Sequence, residues 1–361
     1  MTKISIKFLI SLGLFLLFFN IQAQDKIAFS KLEKNENGDY TLNGIRYTGE
    51  SLLLWPSNNK PMQRVLWKNG KINGYFKSWY EDGKKDQDIE YKNGVRHGYF
   101  KTYYSNGNPE VDCRYNEGKI DGSYKSYYTS GQVKKIATFI DGLEQGNFML
   151  YHTNGNLEQK GAYKNGKPQG LITSYDRDGN IRKEILYANG LRDGKCTFYH
   201  INGQVAETSS FNSGYLDGLK QTYTIEGQLI SSERYINGKL DGEFTTYTMN
   251  GEPLEIKTYQ NGQLNGPYQL YKRQGLDTYG LYKDDLKTGP WIEHKFAEGG
   301  PDEGSYRLGK KNGIWKLGST SLFGKCKGEF IDNVKNGTWE YWYHDGKKWK
   351  TEKWDHGVLI K

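Results

Sequence analysis

The 361-residue chain carries 45 glycines, 29 tyrosines and a formal charge of +8. Leu, Ile, Val and Phe together number 76, thirteen of them within residues 1–23, so the rest of the chain lacks the thick aliphatic runs of parallel strands and amphipathic helices. That excludes a compact Rossmann, hydrolase or barrel enzyme, while an aromatic share of 15% and a dilute charge argue against disorder and against a nucleic-acid groove. The core must be aromatic.

Residues 1–23 read as a secretory signal. Lys3 and Lys7 give a basic start, an apolar run covers residues 8–19, and Ala23 follows the polar flank Asn20-Ile21-Gln22. An uncleaved anchor is the alternative, and the polar flank favours cleavage. The mature chain is then expected outside the cytosol, in the periplasm, at the cell surface or secreted. Residues 24–68 read as an N-terminal cap with a degenerate first repeat that includes Tyr47-Thr48-Gly49 and interior Pro56 and Pro61.

From residue 69 a period of 24 takes over. Repeats begin at Asn69, Asn93, Glu117, Asp141, Asn165, Asn189, Ser213, Asn237 and Asn261, giving nine regular hairpins over residues 69–283, and continue at Asp284, Leu308 and Asp332. The sixth position is always glycine: Gly74, Gly98, Gly122, Gly146, Gly170, Gly194, Gly218, Gly242, Gly266, Gly289, Gly313 and Gly337. Near each repeat's end stands an aromatic: Tyr91, Tyr115, Phe139, Tyr163, Tyr187, Phe211, Tyr235, Tyr259, Tyr282, Tyr306, Phe330 and Trp354.

Mid-repeat dipeptides such as Asp82-Gly83, Asn106-Gly107 and Asn154-Gly155 predict two-residue type I′ hairpin turns, and the Asn-Gly between repeats predicts a looser connection. Counting outward from Asn106-Gly107 pairs Phe100 with Cys113 and Gly98 with Tyr115. The repeated ring is then expected to roof the repeated glycine. Position eight, occupied by Phe76, Phe100, Tyr124, Phe148, Phe244, Tyr268, Trp291, Trp315 and Trp339 in nine repeats, shares that face, which is taken as the core. The fold expected is all-β, an elongated single-sheet antiparallel β-hairpin solenoid.

A second aromatic ladder points the other way: Trp79, Tyr103, Tyr127, Tyr151, Tyr175, Tyr199, Tyr223, Tyr247 and Tyr271. It either braces the second face of a thin sheet or forms a binding stripe. Two strands per repeat place successive rings roughly 10 Å apart.

The run from Asn93 to Gly107, with its Gly and aromatic spacing, resembles the MORN repeat variant of exported bacterial proteins. The resemblance covers roughly residues 43–361 and implies a scaffold that binds protein or lipid; related chains are often labelled as antitoxin components. It implies fold more specifically than function.

Residues 284–361 read as irregular, Trp-rich repeats and a C-terminal cap. Trp291, Trp315, Trp339, Trp342, Trp349 and Trp354 suit either capping or an aromatic ligand platform. Glu298 and Leu322 replace the mid-repeat glycine there, so those hairpins must turn differently.

No chemistry-bearing cluster emerges. Cys113 and Cys196 sit four repeats apart, roughly 38 Å by strand spacing, so no internal disulfide is expected. His152 and His200 share a register two repeats apart, and no zinc-like set recurs. Asp284-Asp285 falls at an inter-hairpin turn, which suits solvation better than acid–base work. No catalytic residue, metal or cofactor is expected.

The leading expectation is a non-catalytic exported scaffold that binds a protein or cell-envelope partner. It takes no nucleic acid and has no integral membrane segment in the mature chain. Three alternatives stand beside it. One is a glycan-binding protein using rings such as Tyr127, Tyr151 and Tyr175; another is a hydrolase with a site around His294, Glu298 and Asp302. The third is an antitoxin or immunity role carried by family resemblance alone.

Overall fold

The computed structural model describes residues 26–272, 275–294, 300–318 and 324–361. The signal at residues 1–23, together with Glu298 and Leu322, lies outside the described residues. The described chain is all β apart from a single 3-10 turn, Phe29–Lys31. Its described residues fall into two compact blocks that divide between Gln132 and Val133.

In the first block the strands Gly49–Leu54, Pro61–Lys68, Lys71–Trp79, Lys85–Lys92, Val95–Tyr103, Pro109–Asn116 and Lys119–Tyr127 pair antiparallel in chain order. Ile27–Ala28 adds a parallel strand against Ser51 and Leu52, closing the open edge of Gly49–Leu54. The cap's own core joins buried Tyr47, Val65 and Trp67 to Ile27, Phe29, Leu32, Tyr40 and Leu42, and the Trp67 indole donates to Ser51 Oγ at 2.8 Å. In the second block the same antiparallel succession runs from Val133–Ile140 to Val358–Leu359.

The two kinds of turn are the reverse of the sequence expectation. The tight type I′ turns lie between repeats: Lys92 pairs with Val95 across Asn93-Gly94, whose φ values are 51° and 85°. They are also stitched to the repeat before, since Gly94 N–H donates to Ile72 O at 2.7 Å and Asn93 N–H to Asn73 Oδ1 at 3.0 Å. At mid-repeat, Gly107 N–H donates to Tyr104 O and Tyr104 N–H to Asn108 O, with only Gly107 at positive φ, 94°. That is a type I turn followed by a left-handed glycine, a loop one residue longer than a two-residue turn.

The register nevertheless comes out as counted. Tyr103 pairs with Pro109, a bulge follows between Pro109 and Val111, and then Thr102 meets Val111, Phe100 meets Cys113 and Gly98 meets Tyr115. The longer loop and the bulge each shift the strand by one residue, and the shifts cancel.

The roofing of the sixth-position glycine is corrected. Gly98 has φ 103° and sits at a second bulge opposite Glu90, whose carboxylate a Cβ would strike. A Cβ on Gly74 or Gly194 would meet Leu66 or Leu186, and on Gly146, Gly170 or Gly313 it would find nothing within 4 Å. The glycine is required by its backbone conformation, and the repeated aromatic leans instead on the position-eight ring. Centroids are 6.5 Å apart for Phe76–Tyr91, 5.1 Å for Phe100–Tyr115, 5.1 Å for Phe148–Tyr163 and 6.3 Å for Phe244–Tyr259. Ile89, Cys113, Ile185 and Ser209 are buried directly across from position eight.

Glycines that rings do cover include Gly280, Gly304 and Gly328, where any Cβ would overlap Trp291, Trp315 and Trp339 respectively. Each indole N–H satisfies the carbonyl just past its glycine: Leu281 at 3.0 Å, Ser305 at 3.1 Å and Glu329 at 3.1 Å. Lys287, Lys311 and Lys335 lie over the same indoles at 4.2, 3.8 and 4.5 Å from the ring centres. These three tryptophans are wholly buried, which removes them from any ligand platform; Trp349 alone of the six is exposed.

Candidate functional site: the tyrosine column

Each ladder residue from Trp79 to Tyr247 ends the first strand of its hairpin, and Tyr271 is next to last in its own, on the face opposite position eight. All nine, from Trp79 to Tyr271, are half-buried. Trp79, Tyr103 and Tyr127 belong to the first block, and Tyr151, Tyr175, Tyr199, Tyr223, Tyr247 and Tyr271 to the second.

The longer mid-repeat loop changes the ladder's partners. The counted register points Tyr103 at Glu110, but the structure pairs it with Pro109. In the second block Tyr151 pairs with Leu157, Tyr175 with Ile181, Tyr199 with Val205, Tyr223 with Leu229, Tyr247 with Pro253 and Tyr271 with Leu276. The ladder is thus one half of a tyrosine–aliphatic double column, and cross-strand pairs of this kind contribute about 0.2–1 kcal/mol each.

In several repeats the residue just past the end of the first strand holds the next ladder residue in place. Trp55 Nε1 donates to Trp79 O at 3.1 Å, the Tyr80 hydroxyl to Tyr103 O at 2.7 Å and the Tyr104 hydroxyl to Tyr127 O at 2.8 Å. His152 and His200 use Nε2 in the same way on Tyr175 O (3.1 Å) and Tyr223 O (2.9 Å). Their shared register is therefore a structural stitch. Turn amides do the same one step out: Asn106, Asn154 and Asn202 Nδ2 donate to Thr129, Arg177 and Ile225 carbonyls.

In the second block the rings lie down along the sheet. The hydroxyls of Tyr223 and Tyr271 donate to Gln221 and Gln269, two residues back on the same strand, and Tyr151 reaches Met149 Sδ. The Tyr199 hydroxyl donates to Glu184 at 2.7 Å; burial, then that carboxylate, push its pKa up to about 12. Thr173, Thr197 and Thr245, two residues before ladder rings, are buried. In the first block the neighbouring rungs are charged pairs, Lys77–Asp88 at 3.7 Å and Lys101–Asp112 at 3.0 Å.

Of the hydrolase candidates, His294 and Asp302 lie within the described residues and Glu298 outside them. His294 Nδ1 lies 2.6 Å from Asp277 O, while buried Asp302 accepts from Gly318 N–H at 2.9 Å and faces Lys311 at 3.5 Å. Cys113, Cys196 and Cys326 are free and buried, and burial pushes the first and last thiols up to about 11. Among the described residues no group of three or more His, Cys, Asp and Glu is placed to hold a metal ion, and no helix is long and apolar enough to cross a membrane.

No curated protein matches the chain. Among solved structures, the chain is similar to the crystal structure of TcdB2–TccC3 at 10% identity and a TM-score of 0.17, covering 85% of this chain and 20% of that one. It is similar to the Photorhabdus luminescens Tc holotoxin pore at 10% identity and a TM-score of 0.16, covering 86% and 20%. The chain thus spans about a fifth of these structures' length. The family described as MORN repeat variant matches residues 72–93, 96–117, 120–141, 144–165 and 168–189. Those bounds fall on the strands seen here, and residues 72–189 of the chain match five consecutive MORN repeat variants.

Proposed function

We propose that this protein is a non-catalytic, exported repeat scaffold that holds an extended partner along its tyrosine column. One observation carries the reading: the column presents the same half-buried ring, backed by the same kind of aliphatic partner, in successive repeats. An active site needs a few convergent and chemically distinct groups, whereas a column offers many equivalent weak contacts that sum over a long partner. Export is supported by the basic start, apolar run and small residue within residues 1–23.

The test is retention of cell-envelope material by immobilised protein beginning at residue 26, compared with a Tyr151/Tyr175/Tyr199→Ser variant matched in melting temperature. The wild type should retain material that the variant releases. Equal retention by both, or turnover of a substrate by protein that retains nothing, contradicts the proposal.

A further inference from the structure

The second-block column differs from a merely bracing one in how its rings are laid. Tyr223 and Tyr271 bond residues two back on their own strands, and Tyr199 bonds Glu184 on the adjoining strand of the preceding repeat. The tethered rings therefore lean along the sheet and, being half-buried, keep part of their surface toward solvent, while Thr173 and Thr197, two residues before ladder rings, are buried. One ring in the column already has a cation over it: Lys160 Nζ lies 5.6 Å from the centre of the Tyr175 ring. Successive platforms are two strands apart, about 9.6 Å by strand spacing.

Two kinds of linear polymer repeat at that step. One is a β-1,4-linked glycan, whose alternate sugars are flipped, so that each disaccharide presents the same apolar sugar face again. The other is a polyproline II peptide, which advances about 9.3 Å in three residues. The hydrogen bonds separate them. A polyproline ligand offers carbonyls and needs ring donors to meet them. Here four of the six second-block hydroxyls are spent: those of Tyr151, Tyr199, Tyr223 and Tyr271 donate to sheet side chains. What remains is ring faces for sugar C–H groups, with oxygens of Glu184, Gln221 and Gln269 beside them to accept from sugar hydroxyls.

From this geometry we infer that the second-block column, Tyr151 to Tyr271, binds a β-1,4-linked glycan with one disaccharide per repeat. The inference rests on the scaffold reading and supplies its ligand class. Titration calorimetry with β-1,4-linked N-acetylglucosamine oligomers of two to eight sugars tests it. Affinity should climb with each added disaccharide. Tyr175→Ala/Tyr223→Ala should weaken the longest oligomer about tenfold or more, while Tyr175→Phe/Tyr223→Phe, which keeps both rings, should bind within about threefold of wild type. Length-independent binding, or equal loss in the Ala and Phe variants, overturns the stacking. Binding of an oligoproline with no binding of any oligosaccharide overturns the glycan. If envelope material is retained through the tyrosines but protease treatment of that material abolishes retention, and no oligosaccharide binds, the glycan falls and the scaffold stands. If neither material nor oligosaccharide is retained, both fall.

Discussion

Leu308 opens an inter-repeat turn at φ 49°, in the left-handed region where most repeats place Asn or Asp, and its side chain is 74% exposed. A branched apolar residue gains nothing from that conformation and is strained by it, so Leu308→Asn should stabilise the protein by about 1 kcal/mol, read as a raised urea midpoint at unchanged slope. The opposite case is glycine required by space. Gly328→Ala would drive a methyl into the Trp339 indole and should cost about 2–3 kcal/mol. Gly170, at φ 74° with open space around it, should cost only about 1 kcal/mol on the same substitution. Equal costs at the two sites, by urea denaturation, would restore the roofing of the sixth-position glycine that the structure denies.

At the scale of the hairpin, the strand Lys348–Asp355 shows how buried polar groups are matched. Glu352 receives the Tyr341 hydroxyl and Lys350 Nζ, both at 2.7 Å, and Trp354 Nε1 at 3.0 Å. Burial raises its pKa, but hydrogen bonds from Lys350, Tyr341 and Trp354 outweigh that and hold it at about 2. The folded value lies below the unfolded one, so this stabilisation is present above the ordinary glutamate range, about 4.3, and is lost as pH falls toward 2. Thermal melts followed by Trp fluorescence should show wild type losing about 1–2 kcal/mol more than Glu352→Gln between pH 6 and pH 2.5. Parallel pH profiles would remove Glu352 as the cause. Much of the hairpin was legible in sequence because glycine and aromatic spacing repeat without drift from Asn69 to Gln260. The turn types were not, because Asn-Gly occupies both turns and suits both a type I′ pair and a type I turn with a following left-handed glycine. The ladder's aliphatic partners were hidden by the same error, since the longer mid-repeat loop shifts them by one residue. Stitches such as Tyr104 to Tyr127 O end on backbone carbonyls, which leave no pattern in side-chain sequence.

At the scale of the molecule, each hairpin buries little alone and gains stability from its neighbours through stitches 20–23 residues apart. Such a scaffold repeats a surface more readily than it converges unlike groups on one point. The five MORN repeat variants fall within this pattern, and the hairpins and tyrosine column continue beyond them to Tyr271. The claim that the column is a working surface is tested most directly by tyrosine nitration mapped by mass spectrometry, with and without saturating bound envelope material. Exposed Tyr215 and Tyr343, both outside the column, provide the internal standard. The account predicts protection of consecutive column residues from Tyr151 to Tyr271, with Tyr215 and Tyr343 unchanged. Column tyrosines that react equally in both samples would contradict it.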